Sequence, residues 1–540
     1  MDYLRHLSLE KIAPQYWLHE ARHRAVGNIE SSPRFAPFAA IGSRQTDAIL
    51  ESAAAALNDP DLLAMHFWLS WILIFEAYRN APEYRADYLD RLRDIPLRQR
   101  LQYLSSEFKQ GSWPPQKPAL PEPLRLAPGE NWALVITRNY AGVKASVRDF
   151  SSDIVEAMAR RFDRVAVALI GPLQGIEPRH NIVGVAIPPG RADVDPDDLD
   201  RVRRAIVADP DCAPIRGIVA RRVVRWLGRV RFARRAIDAG LPDAPPRAIL
   251  SMAIPDPECT LIMNKYRGTE AAIVMPMVEP VASSRVSFPC RRVFVTGTAQ
   301  AAAQSAANPN VRFDVVGSNE AYANARARTA ALNGPRDPRR TVLVLGKLPE
   351  ASWHNTAIVA AVVERARRFG FERVIYRGKP NKKGEFTALA GRAGAGSVRD
   401  AVASGLLEIT DGTPFERQMA EADAIVSATG NSFLLALLSG VPVMGYCFNE
   451  RVDLGEAPYL AAIPEADRPV MCREIGAIGE SVERTLARAQ RPVGPLPPAI
   501  VEALFGDPAI APAERIAELL AGTARSNTDV EMRSAAVGAR

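Results

Sequence analysis

From Trp132 onward one pattern recurs. A short run of β-branched and other apolar residues is followed by a Gly, Pro or polar break and then by a stretch with helical spacing. Trp132–Thr137, Val165–Ile170, Ile182–Ile187, Arg247–Met252, Ala271–Met277, Arg292–Thr296 and Val311–Val316 read as strands. Helices are predicted at Ser152–Phe162 and Glu258–Tyr266. After the break Asn333-Gly-Pro-Arg-Asp-Pro a second series begins, with strands Thr341–Leu345, Arg373–Tyr376, Leu406–Ile409, Ala424–Ser427 and Val441–Tyr446. Its helices are predicted at Thr356–Phe369, Ser397–Ser404, Pro414–Ala422 and Ser432–Ser439. Strands that are apolar along their whole length need helices over both faces, so each series predicts a parallel α/β sheet.

The pattern fails at both ends of the chain. Thr46–Leu57, Leu62–Tyr78 and Tyr84–Phe108 carry apolar residues at helical spacing, and Trp68, Trp71 and Phe75 share one face. Trp113-Pro-Pro-Gln-Lys-Pro-Ala-Leu-Pro-Glu-Pro then breaks any helix and favours a stiff, extended linker. Another proline-rich turn, Pro492–Pro498, precedes a helical stretch at Ala511–Thr523. With 540 residues and a prior of about 150 per domain, several units are expected. The division read from these breaks is a helical N-terminal domain (1–115), a linker (116–130), a first α/β domain (131–332), a second (333–490), a C-terminal helical segment (491–524) and a disordered tail (525–540).

Composition removes several classes. Cys212, Cys259, Cys290, Cys447 and Cys472 are far apart and form no CxxC pair, so they suggest neither a disulfide framework nor a zinc site. Buried free thiols in a reducing compartment are the reading. The N-terminus has no apolar signal core, and the longest apolar stretch, Leu69–Phe75, stops at Glu76, short of a membrane span. These features predict a cytoplasmic protein. The net charge of +7 is concentrated: eight arginines lie between Arg216 and Arg235. Val219, Val223, Trp226, Val230 and Ile237 form an apolar stripe on the same segment. A basic amphipathic helix of this kind suits either peripheral contact with an anionic membrane or packing on a sheet with a solvated basic face. No nucleic-acid-binding module accompanies the charge.

Three motifs could carry chemistry. The first is Ala424-Ile-Val-Ser-Ala-Thr-Gly-Asn-Ser-Phe-Leu-Leu-Ala-Leu-Leu-Ser-Gly-Val-Pro-Val-Met. A strand ends near Ser427, a small polar loop follows, Asn431 or Ser432 is expected to cap a helix, and Gly440 ends it. Ligands of open α/β sheets bind at this edge, where free N–H groups suit phosphate and small residues permit close approach. A plain strand-to-helix turn has the same local pattern. The second motif, Tyr376-Arg377-Gly378-Lys379-Pro380-Asn381-Lys382-Lys383, places cations just after a strand, where they meet either a diphosphate or only solvent. The third, Leu345-Gly-Lys-Leu-Pro-Glu-Ala-Ser-Trp-His-Asn, is not a Walker A loop, but Lys347, Ser352 and His354 follow a strand.

The strand order of 341–447, the Arg377-Gly378-Lys379-Pro380 element and the Ala424–Met444 motif together resemble the C-terminal donor domain of GT-B glycosyltransferases. The flavour is that of the bacterial capsule, surface-polysaccharide and sialyltransferase-like group. Lys379 stands where that group often has His, and Leu435 or its neighbour stands where many members are acidic. The resemblance implies two facing Rossmann-like domains behind the helical N-terminal domain, with a nucleotide-sugar as substrate, no cofactor and no metal. It implies donor contacts from Lys347, Arg377, Lys379, Ser427, Thr429, Gly430, Asn431 and Ser432, and a general base at Glu279 or Asp256 after strands of the first series. The acceptor would be a surface glycan, a lipid-linked glycan or a protein hydroxyl, with a lipid-linked acceptor suiting peripheral membrane contact. A phosphopolyol transferase and a non-catalytic protein of the same fold are the alternatives.

Overall fold

The computed structural model of the chain describes residues 36–66, 69, 119–127, 129–138, 151–171, 176, 179, 181–190, 192–210, 216–252, 257–275, 288–333, 339–346, 352–378, 396–409, 414–428, 430–446, 457–491 and 493–522. After helix α1 (Ala36–Leu57), the first unit contains β1 (Trp132–Thr137), α2 (Ser151–Ala159), β2 (Arg164–Ile170), β3 (Ile182–Ile187), α3 (Pro196–Ala208) and α4 (Arg216–Gly240). It continues through β4 (Ala248–Ser251), α5 (Pro257–Lys265), β5 (Glu270–Val274), β6 (Arg292–Val295), α6 (Thr298–Ala307) and β7 (Arg312–Val315). Helix α7 (Asn319–Asn333) leads to the second unit: β8 (Thr341–Leu345), α8 (Ser352–Ala366), β9 (Arg373–Arg377), α9 (Gly396–Ala403), β10 (Leu407–Ile409), α10 (Phe415–Glu421) and β11 (Ala424–Ala428). Then come α11 (Asn431–Leu437), β12 (Val443–Tyr446), α12 (Ala457–Ala462), β13 (Val470–Cys472), α13 (Ile478–Arg488) and α14 (Pro498–Phe505), with a last helix, α15, over 512–522.

Both sheets are parallel throughout. The first runs β3-β2-β1-β4-β5-β6-β7 and the second β10-β9-β8-β11-β12-β13. Each therefore starts at an inner strand, winds outward, returns and winds the other way. This places a topological switch point between β1 and β4 and another between β8 and β11. The fold is two parallel-sheet α/β units of the doubly wound type.

Strand alternation assigns the faces. In β1, Ala133 and Val135 face α2 and α15, where Ile154, Met158, Ile516 and Leu520 are buried. Trp132, Leu134 and Ile136 belong to the opposite core with Val202 of α3, Leu227 and Ile237 of α4 and Ile262 of α5. Ile49, Leu50, Leu62 and Met65 also join that core, so the described part of the N-terminal region packs on the first sheet. Arg234 grips it through Asp59 at 3.0 Å. In the second unit, Val342 and Val344 pack beneath α8 and α13, while Leu343 and Leu345 pack against α11 and α14.

Most predicted strands and helices lie within a few residues of their expected places. Three expectations change. The segment after Leu57 is a short 3-10 turn at Pro60–Met65, opened by Asp59 accepting the Asp61 N–H, and most of Leu62–Tyr78 lies outside the described residues. Helix α11 has Gly430 as its N-cap, with no side-chain cap, so Asn431 and Ser432 are the first helical residues. The reason is the φ of +122° at Gly430, which turns the chain into the helix one residue early. Gly440 takes the expected left-handed conformation at the far end, with φ +63°. Edge strand β13 and helices α3, α6, α7, α12, α13 and α14 are additions to the predicted set.

Among the described residues no helix is long and apolar enough to cross a membrane. Cys259, Cys290 and Cys472 are buried free thiols, and burial pushes Cys290 up to about 12.

Candidate functional site

The switch point of the second sheet is built from ends of neighbouring parallel strands. Leu345 pairs with Ser427 on one side and Arg377 on the other, and Ala428 pairs with Tyr446. All four strand ends thus share one edge. At about 4.8 Å per strand, Arg377 and Ser427 lie about 10 Å apart with β8 between them.

The floor of this edge is polar and buried. Tyr446 places its hydroxyl 3.2 Å from the Leu345 carbonyl and 3.1 Å from Asn355 Oδ1, tying the end of β12 to β8 and to the start of α8. Tyr376 lies fully buried under Gly346, where a Cβ would meet its hydroxyl at 2.3 Å. Only glycine therefore fits where the chain leaves β8. The Gly346 N–H donates to the Arg377 carbonyl at 2.9 Å and locks the two strand ends together.

The side chains expected at the site have individual surroundings. Arg377 is half-buried, donates from Nη1 to Gln418 Oε1 at 2.8 Å and lies 5.6 Å from the centre of the Phe415 ring. Ser427 is fully buried, and its hydroxyl donates to the Ala428 carbonyl. Gly430 has open space where a side chain would project. Asn431 is half-buried and donates from Nδ2 to the Glu320 carboxylate, while Ser432 is exposed. The structure thus gathers Arg377, Ser427, Gly430, Asn431 and Ser432 at one sheet edge. Lys347, Lys379 and Thr429 lie outside the described residues.

On the first sheet, Asp256 and Glu279 also lie outside the described residues. Two residues after Asp256, however, Glu258 opens α5 at the same C-terminal edge. Its carboxylate is fully buried and takes the Arg229 guanidinium of α4 at 3.2 Å. Arg231 pairs with Asp198, and Arg234 with Asp59 and Asp61. In the stretch of α4 whose side chains are described, these arginines are directed at the chain's own carboxylates. Burial and the Arg229 partner make Glu258 a structural anchor between α5 and α4, a role no local motif signals because its partner is far away in sequence.

Sequence reasoning also passed over Tyr376, Tyr446, Asn355, Gln418 and Glu320. A tyrosine ending an otherwise aliphatic buried strand was the available signal for the first two. Glu320 had none, being 111 residues from Asn431. Among the described residues no group of His, Cys, Asp and Glu side chains is placed to hold a metal ion.

No protein-family model and no curated protein matches the chain. Among solved structures, the chain is similar to UDP-GlcNAc 2-epimerase from Methanocaldococcus jannaschii, at 10% identity over 72% of this chain and 99% of that one, with a TM-score of 0.40. It is also similar to UDP-GlcNAc 2-epimerase from Neisseria meningitidis bound to UDP-GlcNAc, at 11% identity over 72% and 98%, with a TM-score of 0.40. Acinetobacter baumannii MurG is a third, at 13% identity over 74% and 99%, with a TM-score of 0.37. The strand order, rather than this similarity, carries the fold.

Proposed function

We propose that this chain is a metal-independent glycosyltransferase of the GT-B type. It would transfer a sugar from a nucleotide-activated donor to a hydroxyl of a surface glycan, a lipid-linked glycan or a protein. The observation that carries the reading is the edge at the β8/β11 switch point, where Arg377, Gly346, Gly430, Asn431 and Ser432 come together over a buried tyrosine floor. Ligands of doubly wound sheets bind at such a point.

In this reading Gly430 leaves room for the donor to approach the backbone, and Asn431 and Ser432 supply polar contacts to phosphate or ribose. Ser427 contributes by its small size, since its hydroxyl is turned into the strand. Arg377, with Lys347 and Lys379, neutralises the leaving phosphate, doing electrostatically what a metal does elsewhere. A carboxylate on the first unit, Asp256 or Glu279, removes the acceptor hydroxyl proton. The oxygen attacks the anomeric carbon, and the bond to the phosphate oxygen breaks with its electron pair leaving on the nucleotide. Peripheral membrane contact through Arg216–Arg235 draws no support from Arg229, Arg231 and Arg234, which carboxylates of the chain hold. Liposome flotation with the remaining arginines neutralised tests that part separately.

A thermal-shift screen with CMP, CDP, UDP and GDP tests the reading. One nucleotide should raise the unfolding midpoint, and Ser432→Ala and Arg377→Ala should abolish the rise. No shift with any nucleotide would sink the donor site. Mass spectrometry of donor hydrolysis and transfer then separates sugar transfer, phosphopolyol transfer and binding without turnover.

A further inference from the structure

Helix α7 occupies a singular place in the chain. It begins where the first unit hands over to the second, and it runs behind the candidate site. Ser318 is the junction. Its hydroxyl accepts the Ala321 N–H at 3.2 Å and starts the helix, while its own N–H donates to the Phe505 carbonyl at 2.9 Å. Phe505 ends α14, the segment that carries the chain back from the second unit to the first. The two connecting segments therefore cross in direct contact. At Gly506, φ is +67° and a Cβ would meet the Thr296 carbonyl at 2.7 Å and Gly317 Cα at 3.0 Å. Gly317 itself has φ +93°.

From this crossing α7 reaches both helices that flank β11. It packs against α10, whose Gln418 holds Arg377. It also brackets α11. Glu320, in the first turn of α7, takes the Asn431 amide at the start of α11, and Arg328, two turns on, donates to the Leu438 carbonyl at its end, at 3.0 Å. The charges suit the two ends of α11, negative at the start and positive at the finish. Ala321 adds a buried contact in the core that holds Phe433, Leu434 and Phe505.

We propose that α7 mechanically couples the candidate site of the second sheet to the crossing between the two units, with Glu320 and Arg328 as its positioning residues on α11. A ligand that shifts Asn431 also pulls on Glu320, and α7 is one continuous helix whose start is held by Ser318, the residue that bonds Phe505. The crossing should respond to occupancy of the site although it holds no ligand contact. This inference rests on the second-sheet edge being a nucleotide site.

Hydrogen–deuterium exchange of the full chain, with and without the nucleotide that gives a thermal shift, is the test. In the wild type, nucleotide should slow exchange at 316–318 and 503–507 at least threefold. In Glu320→Ala/Arg328→Met, nucleotide should still bind, and that response should vanish. Glu320→Gln, which keeps an acceptor for Asn431, should retain part of it. An undiminished response in the double variant overturns the coupling, as does a wild type that binds nucleotide without change at the crossing. If no nucleotide binds the wild type, the site reading fails, and the coupling is read from the ligand-free proteins. The double variant should then speed exchange at 431–438 and at Ser318 together. Faster exchange at 431–438 alone would overturn it.

Discussion

Gly346→Ala is the sharpest probe of the second-sheet edge. The added methyl would meet the Tyr376 hydroxyl at 2.3 Å and its ring carbons Cζ and Cε2 at 2.8 and 2.9 Å. Tyr376 is fully buried, so its ring has no free volume to enter. Either the ring leaves its rotamer or the backbone at Leu345 and Gly346 lifts. Overpacking of this kind costs about 1–3 kcal/mol. At about 2–4 °C per kcal/mol for a unit of this size, a cost of about 2 kcal/mol lowers the midpoint by about 4–8 °C. The lift also pulls on Arg377, whose carbonyl holds the Gly346 N–H, so in the proposed reading nucleotide binding should weaken along with stability. Gly396→Ala is the control. A Cβ there has no atom within 4 Å, so its midpoint should hold or rise slightly. Tyr376→Phe in the Gly346→Ala background removes the closest contact and should recover part of the loss. Calorimetry of the four proteins decides the matter. A Gly346→Ala midpoint equal to that of Gly396→Ala would refute the steric reasoning.

Three further outcomes follow from the same geometry. Arg229→Met leaves the buried Glu258 carboxylate uncompensated and should cost about 3–5 kcal/mol in denaturant unfolding. Adding Glu258→Gln should return most of that, and a doubly substituted protein as weak as the single one would show that the pair is not what holds the edge. Gly506→Ala combines a left-handed φ with a 2.7 Å contact on a carbonyl, and should destabilise by about 1–3 kcal/mol or more, seen as a lower urea midpoint. Burial raises the Glu514 carboxyl, but bonds from Arg160 and Arg161 outweigh it and hold it below its ordinary value. A depressed folded value means the stabilisation is complete above the unfolded value of about 4.3 and fades as pH falls through the folded one. Amide protection in 512–522, corrected for the pH dependence of intrinsic exchange, should therefore fall below about pH 4.3 in the wild type and less so in Glu514→Gln, and identical profiles would contradict the linkage.

Much of the architecture is legible in the amino-acid sequence. Trp132–Thr137 and Thr341–Leu345 emerge residue for residue as read, because a buried parallel strand is a continuous apolar run, and the half-buried edge strand Ile182–Ile187 does so too. The helix after β11 was legible too, except for its cap, since a sequence does not reveal that Gly430 will adopt φ +122°. Helix α7 was passed over for a physical reason. It is rich in alanine and asparagine and packs through polar contacts at several points of its surface, so no apolar stripe marks it. The three-residue strand β13 is too short for any periodicity.

Local sequence therefore determined the class of fold and the small polar loop that follows β11, because both depend on neighbours along the chain. It placed Arg377 and Ser427 at strand ends on one edge, near one another, without the strand that lies between them. Tertiary structure alone decided that β8 separates them, that Arg377 is held by Gln418, and that Asn431 is met by Glu320 from a distant helix. Strand order in a parallel sheet is fixed by how crossovers pack across its faces, a property of the whole chain that no window of sequence contains.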